Sequence, residues 1–246
     1  MATHSKACCS LPVAQAEGYS AKGTYETLGD VKYYTIGPAT AKKAIFFIYD
    51  IFGYTPQTIQ GADILARGQS EYLVVMPDLF EGKPAQAAWF ADKEAHQDEL
   101  GAFLSKLADP SPKIAQIHSF FAEASKKYPS VEKWGTIGYC FGGKLVALTS
   151  GDKTPWAAAI QTSPAYVSAA DAEKVTVPMA LLASQDEPAD AVKDFDAALN
   201  VPKHIETFEG QIHGWMSARA NLKDDVVRKE YERGYQVALT FFGEHL

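Results

Sequence analysis

Short, continuous apolar runs alternate with segments of helical periodicity along most of this chain, and no other feature limits its fold as strongly. Strands that are apolar without alternation must be covered on both faces, and the cover has to come from the helices between them. The strand candidates are Val31–Ile36, Ala44–Tyr49, Tyr72–Met76, Lys133–Ile137, Ala157–Gln161, Val177–Ala183 and His204–Phe208. Between them, Leu100, Phe103, Leu104 and Leu107 fall on one helical face, and Ile114, Ile117, Phe121 and Ala124 continue that spacing. A last helix carries Val227, Tyr231, Tyr235, Ala238 and Phe242 as one stripe. The expectation is an α/β fold with a mainly parallel central sheet and helices on both faces. At 246 residues, with no repeat or low-complexity linker, one domain over residues 1–246 is expected.

The charge balance narrows the function. A formal net charge of −7 repels a phosphate backbone, and no basic stripe interleaved with aromatics offsets it, so no nucleic-acid partner is expected. No apolar run approaches the roughly 18–20 residues of a membrane span, so no membrane association is expected either. The first residues, MATHSKACCSLPVAQAEG, are interrupted by Ser10 and Pro12 and are too polar for the apolar core of a signal peptide. With three cysteines, two of them the adjacent Cys8 and Cys9, the chain lacks a disulfide framework and suits a reducing, cytoplasmic compartment. The Cys8–Cys9 spacing does not fit a zinc knuckle, and no metal is expected.

Chemistry concentrates in Trp134–Gly135–Thr136–Ile137–Gly138–Tyr139–Cys140–Phe141–Gly142–Gly143–Lys144–Leu145. A strand pattern ends, a helix pattern begins after Cys140, and glycines stand two residues before and after it. That is the cysteine form of a nucleophile elbow, G-x-C-x-G, whose turn is too tight for side chains at the flanking positions. The helix N-terminus that follows favours a thiolate. Of six histidines, His213 is the one that lies in a loop after a strand, in Glu209–Gly210–Gln211–Ile212–His213–Gly214–Trp215, where a general base is needed. The acid that orients it should lie between them, after a strand. Ser184–Gln185–Asp186–Glu187–Pro188 supplies Asp186 as the choice, with Glu187 adjacent and Asp190 close by. The order Cys140, Asp186, His213 is the nucleophile–acid–histidine order of α/β-hydrolases.

With these residues in view, the sequence resembles the dienelactone hydrolase family, particularly its fungal branch. The resemblance runs from Cys8–Cys9 through Ile48–Tyr49–Asp50–Ile51–Phe52–Gly53, Gly61–Ala62–Asp63–Ile64–Leu65–Ala66 and Met76–Pro77–Asp78–Leu79–Phe80–Glu81–Gly82 to the elbow and His213–Gly214–Trp215. It implies a compact α/β-hydrolase with a Cys–His–Asp triad that cleaves a lactone or small carboxylic ester and needs no cofactor. It also implies an oxyanion hole made by the N–H groups of Ile51 and Phe141. The family pattern places a glutamate just before Ile-Phe-Gly; here the residue is Asp50, one methylene shorter.

For the substrate pocket, Asp50, Tyr54, Trp89, Trp215 and Arg219 are the candidates, with Phe90 beside Trp89. Bacterial members resemble one another in holding a substrate carboxylate with arginines. This chain has Arg67, Arg219, Arg228 and Arg233, of which Arg219 is best placed, six residues after His213. Two other readings stay open: a general carboxylesterase or thioesterase, and a non-catalytic scaffold that binds a small ligand or protein. The expected partner is a small lactone or ester, and the expected assembly is a monomer or homodimer.

Overall fold

The computed structural model describes residues 18–67 and 71–246. Eight strands form one sheet: β1 (Thr24–Leu28), β2 (Val31–Ile36), β3 (Lys43–Ile48), β4 (Leu73–Pro77), β5 (Lys133–Tyr139), β6 (Trp156–Thr162), β7 (Met179–Ser184) and β8 (Lys203–Phe208). Their spatial order is β1-β2-β4-β3-β5-β6-β7-β8. From β4 to β8 all neighbours are parallel, while β2 runs antiparallel to both β1 and β4. The continuous apolar runs behave as expected: every residue of β4 and β7 is buried, as are five of the six in β3.

The helices are α1 (Pro56–Ala66), α2 (Ala87–Ala91), α3 (Gln97–Leu107), α4 (Ser111–Lys127), α5 (Phe141–Thr149), α6 (Ala169–Ala172), α7 (Ala189–Ala198) and α8 (Asp225–His245). α1 begins where Thr55 accepts the Thr58 N–H and Pro56 occupies the first turn, a start that suits both residues. α8 begins at Asp224, whose carboxylate accepts the N–H groups of Val226 and Val227. The expected stripe of α8 is buried at Tyr231, Tyr235, Ala238 and Phe242, whereas Val227 stays outside the core. In α4 the fully buried aromatic is Phe120, with Phe121 partly buried against Phe46, Trp134 and Trp156.

The strand that the sequence does not announce is β1. Its TYETL run alternates, and most of it is exposed or half-exposed. It is an edge strand joined to β2 by the two-residue loop Gly29–Asp30, with Gly29 at φ 58°.

Chain order reverses between β3 and β5. β4 lies on one side of β3, and every later strand lies on the other. Loops leaving the carboxyl ends of β3 and β5 therefore splay apart there, which opens the crevice where open α/β sheets place their sites.

Candidate active site

Cys140 sits between β5 and α5 with φ 53° and ψ −115°. A side chain held at positive φ costs about 1–3 kcal/mol and persists only when its surroundings enforce it. The enforcement is visible. The Cys140 N–H donates to the Thr162 carbonyl at 3.1 Å, and the Ala165 N–H donates to the Cys140 carbonyl at 2.8 Å. The glycines follow the same logic. A Cβ on Gly138 would lie 2.2 Å from the Gly142 carbonyl oxygen, and one on Gly142 would lie 2.3 Å from the Ile48 carbonyl oxygen. Their absence of side chains lets the first turn of α5 press against the end of β3. The cysteine is 4% exposed.

His213 is buried in the loop after β8, and its Nδ1 lies 2.7 Å from Glu187 Oε1. The sequence expectation puts Asp186 at this nitrogen, and the carboxylate found there is that of Glu187. The turn after β7 directs the Asp186 carboxylate to the His213 main-chain N–H, at 2.7 Å, while the Asp186 N–H donates to Ser184 Oγ. Glu187, one residue on and one methylene longer, reaches the imidazole. Its second oxygen accepts the Ser184 N–H. Asp190 lies in the first turn of α7 and is exposed.

The loop after β3 folds tightly on its own bonds. Asp50 Oδ1 accepts the Phe52 N–H at 2.8 Å, and the Asp50 carbonyl accepts the Gly53 N–H at 3.2 Å. Gly53 takes φ 69°. The Ile51 carbonyl accepts the Ala85 N–H at 2.9 Å. These bonds use the amides of Phe52 and Gly53 and not that of Ile51. The Phe141 N–H, in the first turn of α5, has no intrahelical partner by helix geometry. Asp50 is buried, and burial pushes its carboxyl above the ordinary value, against Ser217, the N–H groups of Phe52 and Ala218, and the charge of His213.

The substrate-pocket candidates divide. Tyr54 belongs to the core wall: its hydroxyl donates to the Met76 carbonyl and its ring packs on Tyr25 and Tyr49. Trp215 is fully buried, 4.3 Å from Phe208 between ring centroids and against Gly234 of α8. Trp215 is closed off from solvent, whereas Tyr54 is half-buried. Trp89 is half-buried in a row with Phe103, while its neighbour Phe90 meets Phe52 of the β3 loop edge-on at 5.2 Å. Arg219 is buried, and its aliphatic stem lies beside Gly214, where a Cβ would meet it at 3.2 Å. Cys8 and Cys9 fall outside the described residues. Among the described residues there is no cluster of metal-ligating side chains. No helix among them is long and apolar enough to cross a membrane.

A largely parallel sheet with a tight G-x-C-x-G turn behind its fifth strand and a histidine behind its last has the α/β-hydrolase fold. The dienelactone hydrolase from Anabaena variabilis has the same fold, with a TM-score of 0.57 at 14% identity, covering 92% of this chain and 98% of its own. The chain belongs to the dienelactone hydrolase family, whose profile matches residues 31–246. It is 31% identical to an uncharacterized AIM2 family protein of Schizosaccharomyces pombe, over 96% of this chain and 97% of that one. It is 25% identical to the carboxymethylenebutenolidase homolog of Mus musculus, over 85% of each chain. Its class of activity is carboxylic ester hydrolysis.

Proposed function

We propose that this protein cleaves a small lactone or carboxylic ester by acyl transfer to Cys140, with His213 as the base and Glu187 as the acid that orients it. The observation that carries the reading is the 2.7 Å contact between His213 Nδ1 and Glu187 Oε1, both groups being shielded from solvent. A carboxylate on Nδ1 fixes the ring tautomer and stabilises the imidazolium, leaving Nε2 as the nitrogen that trades protons.

In the first half-reaction the Cys140 proton passes to His213 and the sulfur attacks the carbonyl carbon. The N–H groups of Ile51 and Phe141 receive the developing oxyanion. Collapse breaks the carbon–oxygen bond, and His213 returns the proton to the departing alkoxide or enolate. In the second, His213 takes a proton from water, the hydroxide adds to the thioester, and the carboxylic acid leaves as the thiol is restored. For a lactone both products remain one molecule, a hydroxy or keto acid.

Arg219 suits a substrate that carries an anionic group, and the Phe52–Phe90 contact supplies an apolar flank. Phenyl acetate and dihydrocoumarin are suitable first substrates. Cys140→Ala should abolish hydrolysis of both while far-UV ellipticity and Tm stay near wild type, and intact mass spectrometry of the wild type should catch a thioester. An active alanine variant would sink the proposal.

A further inference from the structure

Asp50 is a buried carboxylate beside the site that the proposed mechanism leaves without work. Both of its oxygens are spoken for. Oδ1 accepts the Phe52 N–H at 2.8 Å, within its own loop, and Oδ2 accepts the Ala218 N–H at 3.1 Å, 168 residues away. Ser217 adds a side-chain hydrogen bond. One end of this bridge is the loop that carries the Ile51 N–H. The other is a series of tight turns that starts at His213, with the Ser217 N–H donating to the Gly214 carbonyl and the Ala220 N–H to the Ser217 carbonyl, each at 3.0 Å.

We infer that Asp50 is a positioning residue: its carboxylate clamps the oxyanion loop to the histidine loop, so that the Ile51 N–H and His213 keep a common geometry during acyl transfer. The inference rests on the cysteine reading above and deepens it. Each oxygen of the one side chain thus holds a backbone N–H of a different loop. The Ile51–Phe52 peptide, next along the chain from the one that carries the Ile51 N–H, is then fixed at both its N–H and its C=O. Asp50 holds the following amide, that of Phe52, and the Ala85 N–H holds the Ile51 carbonyl.

Asp50→Asn tests this, because the amide keeps the shape but turns an NH2 group toward one of the two donors. The expected result has three parts. Deuterium uptake rises together in peptides spanning residues 50–54 and 214–220. With dihydrocoumarin, kcat falls by about 10²-fold, the loss typical of a misplaced oxyanion donor, while KM stays within about threefold. Alkylation of Cys140 by iodoacetamide, which needs no oxyanion hole, keeps its wild-type rate. Asp50→Glu, which carries the two oxygens a methylene away from their places on Phe52 and Ala218, should show the same loss of kcat and guards against a folding defect peculiar to the asparagine variant.

Unchanged exchange in both segments overturns the clamp, and so does a kcat within about threefold of wild type in both variants. A loss of kcat matched by an equal loss of alkylation rate also overturns it, since Asp50 would then act on the thiol. An active Cys140→Ala variant is a different failure. It removes the nucleophile, while exchange at Phe52 and Ala218 still reports whether Asp50 joins the two loops.

Discussion

One methylene separates two neighbouring carboxylates that do different work after β7. Glu187 faces the imidazole of His213, and Asp186 holds the main chain of the same residue. Glu187→Gln offers an NH2 group to Nδ1 and selects the wrong tautomer, so kcat should fall on the order of 10³-fold or more. Asp186→Asn still presents a carbonyl oxygen to the His213 N–H and should cost less than about tenfold. Steady-state hydrolysis of phenyl acetate by the two variants checks the order, and a larger loss at Asp186 would return the acid role to it. Asp50 makes a prediction about pH. Burial raises its carboxyl above the ordinary 3.8, and the donors around it oppose that rise only in part. A native state that binds the proton more tightly than the unfolded chain gains stability at low pH and loses it as the pH climbs from 3.8 through the folded value. The Tm of wild type minus that of Asp50→Asn should therefore shrink as the pH is raised from about 4, the ordinary aspartate value. Thermal scans of both proteins across that range check it, and a difference that grows with pH contradicts it.

At the scale of elements, the β5–α5 junction is the least forgiving. Gly138→Ala and Gly142→Ala would drive a Cβ to 2.2 Å and 2.3 Å from backbone oxygens, whereas Gly143→Ala meets its nearest neighbours at 3.2 Å. The first two should cost about 3 kcal/mol or more, or prevent folding, and the third about 1 kcal/mol or less in urea unfolding. That junction was legible in the sequence because its demands are local: a strand, a turn and a helix in one short run. β3, β4 and β7 were legible for a related reason, since a strand covered on both faces is apolar throughout. β1 was not, because an edge strand with one wet face alternates and has no such run. That the Glu187 carboxylate meets the His213 ring while Asp186 meets its main chain depends on the path of a turn, which residue types do not encode. Residue type alone does not say that Trp215 is fully buried against Phe208 or that Tyr54 is half-buried with its hydroxyl on the Met76 carbonyl. The Asp50–Ala218 bond joins positions so distant that no window on the sequence contains both.

Seen whole, the candidate site residues hang from β3, β5, β7 and β8, and the last helix braces their loops. Tyr231 of α8 donates its hydroxyl to the Gln57 carbonyl, and Tyr235 donates to the Met216 carbonyl, three residues past His213. A Cβ on Gly61 would overlap the Tyr235 hydroxyl, so α1 and α8 meet without a spacer. The clamp between residues 50 and 218 has a consequence in time. A ribosome must deliver nearly the entire chain before the histidine loop can dock, and a refolding chain must close that long loop before it can turn over substrate. Hydrolytic activity should accordingly return later than far-UV ellipticity when the denatured protein is diluted into buffer. Coincident recovery would mean that the distant halves of the site find each other in the first collapse.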